Sequence, residues 1–339
     1  MKSVVLKVIQ FLFFLSVGAF LLYWAFKGID LRDMSQRFRS VDYFWVWLSL
    51  VCGFLSHLCR GIRWKMLIRT LGYAPSVKNT FGAVLIGYLA NYAFPRIGEV
   101  ARCMSLNRTD RIPVDRLLGT VILERVVDML VFALLLVSLL LFRFEFFGNF
   151  LTREIFVPLY DKLTSVISLP LLLAMFVLLL GSLWLAWYLL RSWLRELKVM
   201  NQLKGLVRNV WSGLTSILRM KDIFMFILVT LLVWGMYLLQ TYLVFLALSF
   251  TSHLGLLDAV FILVMATFGF IIPVQGGIGT FHWAVALGLT LYAIPWEDGL
   301  VFATLSHTSG SLLTIALGFV AFVVLWVGKR KDSAVPRPK

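Results

Sequence analysis

The chain has 339 residues, 60% of them apolar and only 14% charged. A soluble domain carries about a quarter charged residues, so the composition excludes a soluble enzyme and indicates an integral membrane protein. The formal charge of +15 lies in the connections between apolar runs, which fits positive-inside topology and argues against a nucleic-acid partner.

Apolar runs cover 8–26, 43–59, 79–94, 117–142, 167–190, 223–249, 256–272, 280–293 and 300–327. The first follows Lys2 and Lys7 as a signal peptide would, but it exceeds an h-region and no small-residue cleavage site follows, so a retained span is expected. Cys52, Cys59 and Cys103 have no metal-ligand spacing, and no disulfide or zinc site is implied. Arg60, Arg63, Lys65, Arg69 and Lys78 mark a cytoplasmic connection, as do the basic stretches 191–221 and 329–339. The connections 27–42, 143–162, 250–258 and 292–299 are balanced or acidic and belong outside. The 191–221 stretch repeats Trp193, Leu197, Met200, Leu203, Val207 and Trp211 at helical spacing and reads as an interfacial amphipathic helix.

Two apolar runs end in the same kind of break. One is Asn91-Tyr-Ala-Phe-Pro95-Arg96-Ile-Gly98-Glu99; the other is Pro273-Val-Gln275-Gly276-Gly277-Ile-Gly279-Thr280. Non-helical backbone at membrane depth persists only when it is buried in protein or lines a wet cavity. The charge counts reconcile if 79–107 enters from the cytoplasm and returns, and 256–293 does so from outside. The predicted fold is therefore an all-α polytopic membrane protein with six full spans and two re-entrant helical hairpins in an inverted repeat. Its single membrane domain, 1–328, comprises pseudo-repeats 1–142 and 167–328 joined by 143–166, with a basic cytoplasmic tail at 329–339. Eight plain spans are the alternative, and they would place the basic 191–222 segment outside.

Glu124, Arg125 and Asp128 interrupt an otherwise apolar span, where an unpaired charge costs at least ~2.5–3.5 kcal/mol. Glu124 and Asp128 share a face at i,i+4, and Arg125 reaches Asp128 at i,i+3. The first hairpin would bring Arg96, Glu99 and Arg102 to similar depth, giving three cations and three carboxylates. Such a network pins a hairpin to a span, and it also lets Arg96, Arg102 or Arg125 exchange a carboxylate for a lipid phosphate. In the second hairpin, the glycines free backbone N–H groups ahead of a helix starting near Thr280, a setting that attracts anions, or else simply form a tight turn. Gln275, His282 and His307 add a polar lining. No nucleotide-binding loop, hydrolase motif or metal cluster appears, so neither catalysis, a cofactor nor a bound metal is expected.

Asn91…Pro95-Arg96-x-Gly98-Glu99-x-x-Arg102, Glu124-Arg125-x-x-Asp128 and Pro273-x-x-Gly276-Gly277-x-Gly279-Thr280-Phe281 together resemble the lysylphosphatidylglycerol synthase transmembrane-domain, or flippase-like, family over about 8–327. The resemblance implies movement of an anionic, modified or polyprenyl-type lipid between leaflets of a bacterial cytoplasmic membrane. It implies no synthase activity, because the soluble synthase domain of the bifunctional members is not in this chain. A separate lipid-synthesising enzyme is the implied partner. Many relatives carry an acidic residue after Gly-Thr-Phe, where this chain has His282. The rival readings are a membrane scaffold and a lipid-modifying membrane enzyme.

Overall fold

The computed structural model describes residues 2–142 and 220–327, with isolated positions between 152 and 188. It divides into two units, one of residues 1–135 with 220–339 and one of 136–219. The candidate site and all contacts below lie in the first. The predicted span 167–190 is described only at scattered helical positions, and the amphipathic stretch 191–221 and the basic tail lie outside the described residues.

Every element among the described residues is helical: α1 (Lys2–Phe26), α2 (Leu31–Arg39), α3 (Tyr43–Arg69), α4 (Val77–Ala93), α5 (Gly98–Asp110), α6 (Val114–Phe142), α7 (Ile223–Leu246), α8 (Leu256–Ile271), α9 (Thr280–Thr290) and α10 (Trp296–Val327), with a short 3₁₀ turn at Gln275–Gly277. Four of them, α3, α6, α7 and α10, are long and apolar enough to cross a bilayer. Large apolar side chains such as Phe44, Trp47, Phe224 and Phe319 are exposed, as expected where the solvent is lipid. The chain is a multi-pass membrane protein.

Local chemistry sets the boundaries. Asp42 caps α3 by accepting from the Phe44 N–H at 3.1 Å, and Ser76 caps α4 by accepting from the Asn79 N–H at 3.1 Å. No proline interrupts α3, so it runs ten residues past the apolar stretch ending at 59, carrying Arg60 and Arg63 inward with it. The predicted connection 27–42 contains a helix of its own, α2, capped by Asp30 and tied to the start of α10 by an Arg37–Asp298 ion pair.

Both breaks are helical hairpins with one backbone solution. Phe94 and Ile272, each followed by proline, are extended and end α4 and α8. The chain then reverses. Asn79 donates to Asp110 at 2.9 Å and Asn91 accepts from the Gly98 N–H at 2.8 Å, so α4 and α5 run antiparallel. Phe261 meets Tyr292 edge-on across the second hairpin, and Gly269 abuts Phe281, so α8 and α9 do the same. At 17, 13, 16 and 11 residues, these helices are shorter than the ~20 needed to span. Trp64, Ile68, Val84, Cys103, Leu106, Leu117 and Val121 form the core where α3, α4, α5 and α6 converge.

Candidate functional site

The convergence of α3, α5 and α6 buries a charge cluster. On α3, Arg60, Arg63 and Trp64 share one face; on α6, Thr120, Glu124 and Asp128 recur every four residues. Arg63, fully buried, donates from Nη2 to Glu124 Oε1 at 3.0 Å and to Asp128 Oδ1 at 2.7 Å. Arg60 donates to Asp128 Oδ2 at 2.5 Å and, from its other terminal nitrogen, to the Tyr88 hydroxyl at 2.7 Å. Arg102 enters from α5, with Nη2 2.8 Å from Glu124 Oε2 but off the hydrogen-bond axis. Its guanidinium lies 4.7 Å over the Trp64 ring, which the indole N–H fixes by donating to Thr120 at 2.9 Å.

The cluster is not electrically balanced. Among the described residues, Arg60, Arg63 and Arg102 are buried in the cluster against two buried carboxylates, Glu124 and Asp128, which leaves one positive charge in excess. Several donors are also buried without a partner: Arg60 Nε, Arg63 Nε and Nη1, and Arg102 Nε. Buried donors left unmade are costly, and an unmatched buried charge more so.

The cluster opens onto a narrow cleft between α4, α5 and α6, lined by Tyr88, Asn91, Gly98, Glu99, Arg102 and Arg125. Gly87 and Gly98 let α4 and α5 approach there; a Cβ on Gly98 would run into the Gly87 carbonyl and the Asn91 side chain. The free volume is about 10 Å³, room for one water. At its mouth Arg125 donates to Glu99 Oε1 at 2.9 Å, while Glu99 Oε2 is buried and unpaired. The Arg125 side chain is 43% exposed, so this pair is the least buried part of the cleft's charged lining.

Several sequence expectations are redrawn by this geometry. Glu124 and Asp128 do face the same partner, but it is Arg63. Arg125 is paired with Glu99 instead of Asp128, because Arg60 and Arg63 already occupy both Asp128 oxygens. Arg96 sits at the hairpin tip, exposed and in the left-handed region at φ 64°, and among the described residues its side chain joins no ion pair. Arg60 and Arg63, counted as cytoplasmic markers, are the buried centre of the cluster. Pro95 and Gly98 lie at the first tip.

In the second hairpin, Gly276, Gly277 and Gly279 all have positive φ, which glycine adopts without strain. Their N–H groups are largely spent inside the turn: Gly277 donates to Val274 O, Ile278 to Gln275 O, and Gly279 to His282 Nδ1. The turn is therefore a poorer anion cradle than its glycines suggest. His307 reaches the Gly276 carbonyl at 2.8 Å, and Thr280 bonds back to Gly277 O at 3.2 Å. The two tips touch: the Tyr92 ring covers Gly276, and its hydroxyl donates to Ser311 on α10 at 2.9 Å. Among the described residues, no group of His, Cys, Asp and Glu is arranged to hold a metal.

A profile of the lysylphosphatidylglycerol synthase TM region matches residues 8–327. The chain belongs to that family. It is also 24% identical, over 96% of its own length and 95% of the relative's, to the UPF0104 membrane protein MJ1595 of Methanocaldococcus jannaschii. No solved structure matches it. The family match takes in both hairpins and the whole charge cluster, so these are parts of the family's membrane region and not additions to it.

Proposed function

We propose that this protein is a lipid translocator that carries an anionic or modified phospholipid, or a polyprenyl-type lipid, between the leaflets of a bacterial cytoplasmic membrane without catalysis by this chain. The observation that carries this reading is the uncompensated guanidinium in the buried cluster, next to a cleft at a helix break. An anion is what that cluster lacks. Lipid phosphate supplies it with forked acceptors that match arginine donors.

In this reading Arg102 and Arg63 hold the phosphate through donors now idle, and Arg125 swaps Glu99 for a phosphate oxygen as the headgroup enters. Arg96, exposed at the tip, meets the headgroup first. Glu99, Glu124 and Asp128 limit how tightly the anion is held and so permit release. A one-water cleft must widen to take a phosphate, and the half-exposed Arg125–Glu99 pair is where the least buried surface moves. The paired short helices and the shared X-Pro breaks support two re-entrant hairpins in an inverted repeat, with both termini cytoplasmic. A lipid-synthesising enzyme is the fitting partner.

The full chain in liposomes should accelerate leaflet exchange of NBD-labelled phosphatidylglycerol, and Arg102→Ala should reduce that at least about tenfold, the scale of losing one charge-assisted contact. Exchange equal to wild type in a folded Arg102→Ala protein would remove the site. Orientation has a separate check. A cysteine replacing exposed Glu297 should react with an impermeant reagent outside the cell, and one replacing exposed Lys78 should not; the reverse pattern would invert the topology.

A further inference from the structure

The second hairpin contains no Asp, Glu, Lys or Arg between Ala259 and Trp296. Its polar chemistry rests on two buried imidazoles whose tautomers the backbone dictates. The Gly276 carbonyl only accepts, so His307 Nε2, 2.8 Å away, carries a hydrogen and leaves Nδ1 a bare lone pair. The Gly279 N–H only donates, so His282 Nδ1, 3.4 Å away, accepts it and Nε2 carries the hydrogen. The rings meet edge-on with centroids 4.8 Å apart. Both therefore grip one glycine turn while touching each other.

Their surroundings offer no counter-charge. Phe26 of α1, Phe270 of α8 and Phe281 of α9 contact the rings. Tyr92 of α4 covers Gly276, and it is the other titratable group at this junction, with its hydroxyl bonded to Ser311. Among the described residues no carboxylate or guanidinium is recorded against either ring. On the same turn Gln275 is 6% exposed, and both its side-chain Oε1 and Nε2 are buried without a partner.

We propose that this protein binds one proton at the His282–His307 pair and couples it to lipid movement. The proposal rests on the translocator reading and adds the coupled ion. The proton comes from water onto His307 Nδ1, the bare lone pair; the pair passes from neutral to singly positive and keeps its bond to Gly276. A second proton is opposed by the first, since two imidazolium rings in contact repel. An imidazolium among three phenylalanines with no carboxylate is expensive to bury, so the proton enters when the turn parts and admits water and leaves when it closes. Acid thus favours the parted turn. Because Tyr92 of the first hairpin rests on Gly276, parting the turn also separates the two tips.

The test uses the full chain in phosphatidylglycerol–phosphatidylcholine liposomes with C6-NBD-phosphatidylglycerol as probe and albumin back-extraction as readout. Wild-type exchange should be at least about fivefold faster at pH 5.5 than at pH 7.5, within the usual span of coupling between two sites. His307→Gln keeps an N–H for Gly276, and His282→Asn keeps an acceptor for Gly279. Each should bring that ratio to about one. A flat wild-type profile, or an undiminished ratio in His307→Gln, overturns the coupling. Should the variants lose exchange altogether, ¹⁵N-histidine NMR of the wild type in the same vesicles decides: one proton taken up by the pair between pH 8 and 5 supports the site, and none overturns it. Exchange that needs Arg102 yet ignores pH would sink the coupling and leave the translocator reading standing.

Discussion

The two hairpins share a backbone and differ in chemistry. Each interrupts a helix at a residue before proline, reverses through left-handed conformations, and packs two short helices antiparallel. The first is set against buried arginines and carboxylates with donors to spare; the second has no charged side chain between Ala259 and Trp296 and closes most of its own N–H groups internally. The same interruption of a membrane helix thus serves two ends. In the proposed reading, surrounded by surplus charge it makes a place for an anion; surrounded by aromatic rings and imidazoles it makes a joint that opens or shuts.

The largest effect should come from removing a cation at the first hairpin's base. Arg63→Ala strips Glu124 and Asp128 of their shared partner, and breaking a buried pair this way costs ~3–5 kcal/mol. Thermal unfolding in detergent should show a large fall in Tm, with no comparable fall for His307→Gln at the second hairpin. Equal, small shifts would erase the contrast between a charged base and an uncharged joint.

Close approach sharpens the comparison next. Gly98→Leu must push α5 away from α4, and overpacking of that kind costs ~1–3 kcal/mol. Gly276→Ala meets the Tyr92 ring at 2.5 Å and holds alanine at φ 59°, where the left-handed region alone costs ~1–2 kcal/mol. Both should lower Tm. Only Gly98→Leu should also weaken retention of co-purified anionic lipid, read by native mass spectrometry. Loss of lipid from both, or from neither, would mean that the first hairpin's cleft has no special place in binding.

Much of this was visible in the residues alone. Pro95, Pro273 and the clustered glycines announced the breaks, because the residue before a proline is sterically disfavoured in the helical region. Glu124 and Asp128 announced the cluster, because carboxylates inside an apolar run need partners. Which partners they take was not legible. Arg60 and Arg63 follow an apolar run just as topology-marking residues do, and only the packing of α3 against α6 distinguishes an inward arginine from one at the surface. The spacing Arg60-x-x-Arg63 against Glu124-x-x-x-Asp128, one turn on each helix, was the available clue. Arg96 misled in the opposite sense: its place beside Pro95 suggested a share in the cluster, but it sits at the tip, exposed, with a left-handed φ.

Arg96 and Arg102 then differ for one reason, burial. Arg102 is 4% exposed and paired with Glu124, whereas Arg96 is exposed and, among the described residues, in no ion pair. Arg96→Ala should change stability by less than ~0.5 kcal/mol, as surface substitutions do. Its effect on exchange should be a few-fold at most, well short of that of Arg102→Ala. A larger loss from Arg96→Ala than from Arg102→Ala would move the phosphate site from the cluster to the tip.

The smallest predicted effect falls where the hairpins meet. Tyr92→Phe removes only the hydroxyl that donates to Ser311, worth ~0.5–1.5 kcal/mol, and keeps the ring over Gly276. If Tyr92 is merely packing, the loss appears in Tm and nowhere else. If it latches the two tips, the weakened latch should make exchange faster although the protein is less stable, because the hydroxyl bond to Ser311 on α10 holds the Tyr92 ring over Gly276. Opposite signs for stability and rate in one conservative variant are hard to obtain from general loosening when Arg96→Ala, at the same tip, does not share them. A Tyr92→Phe protein that is both less stable and slower would place the barrier to lipid passage elsewhere than at this contact.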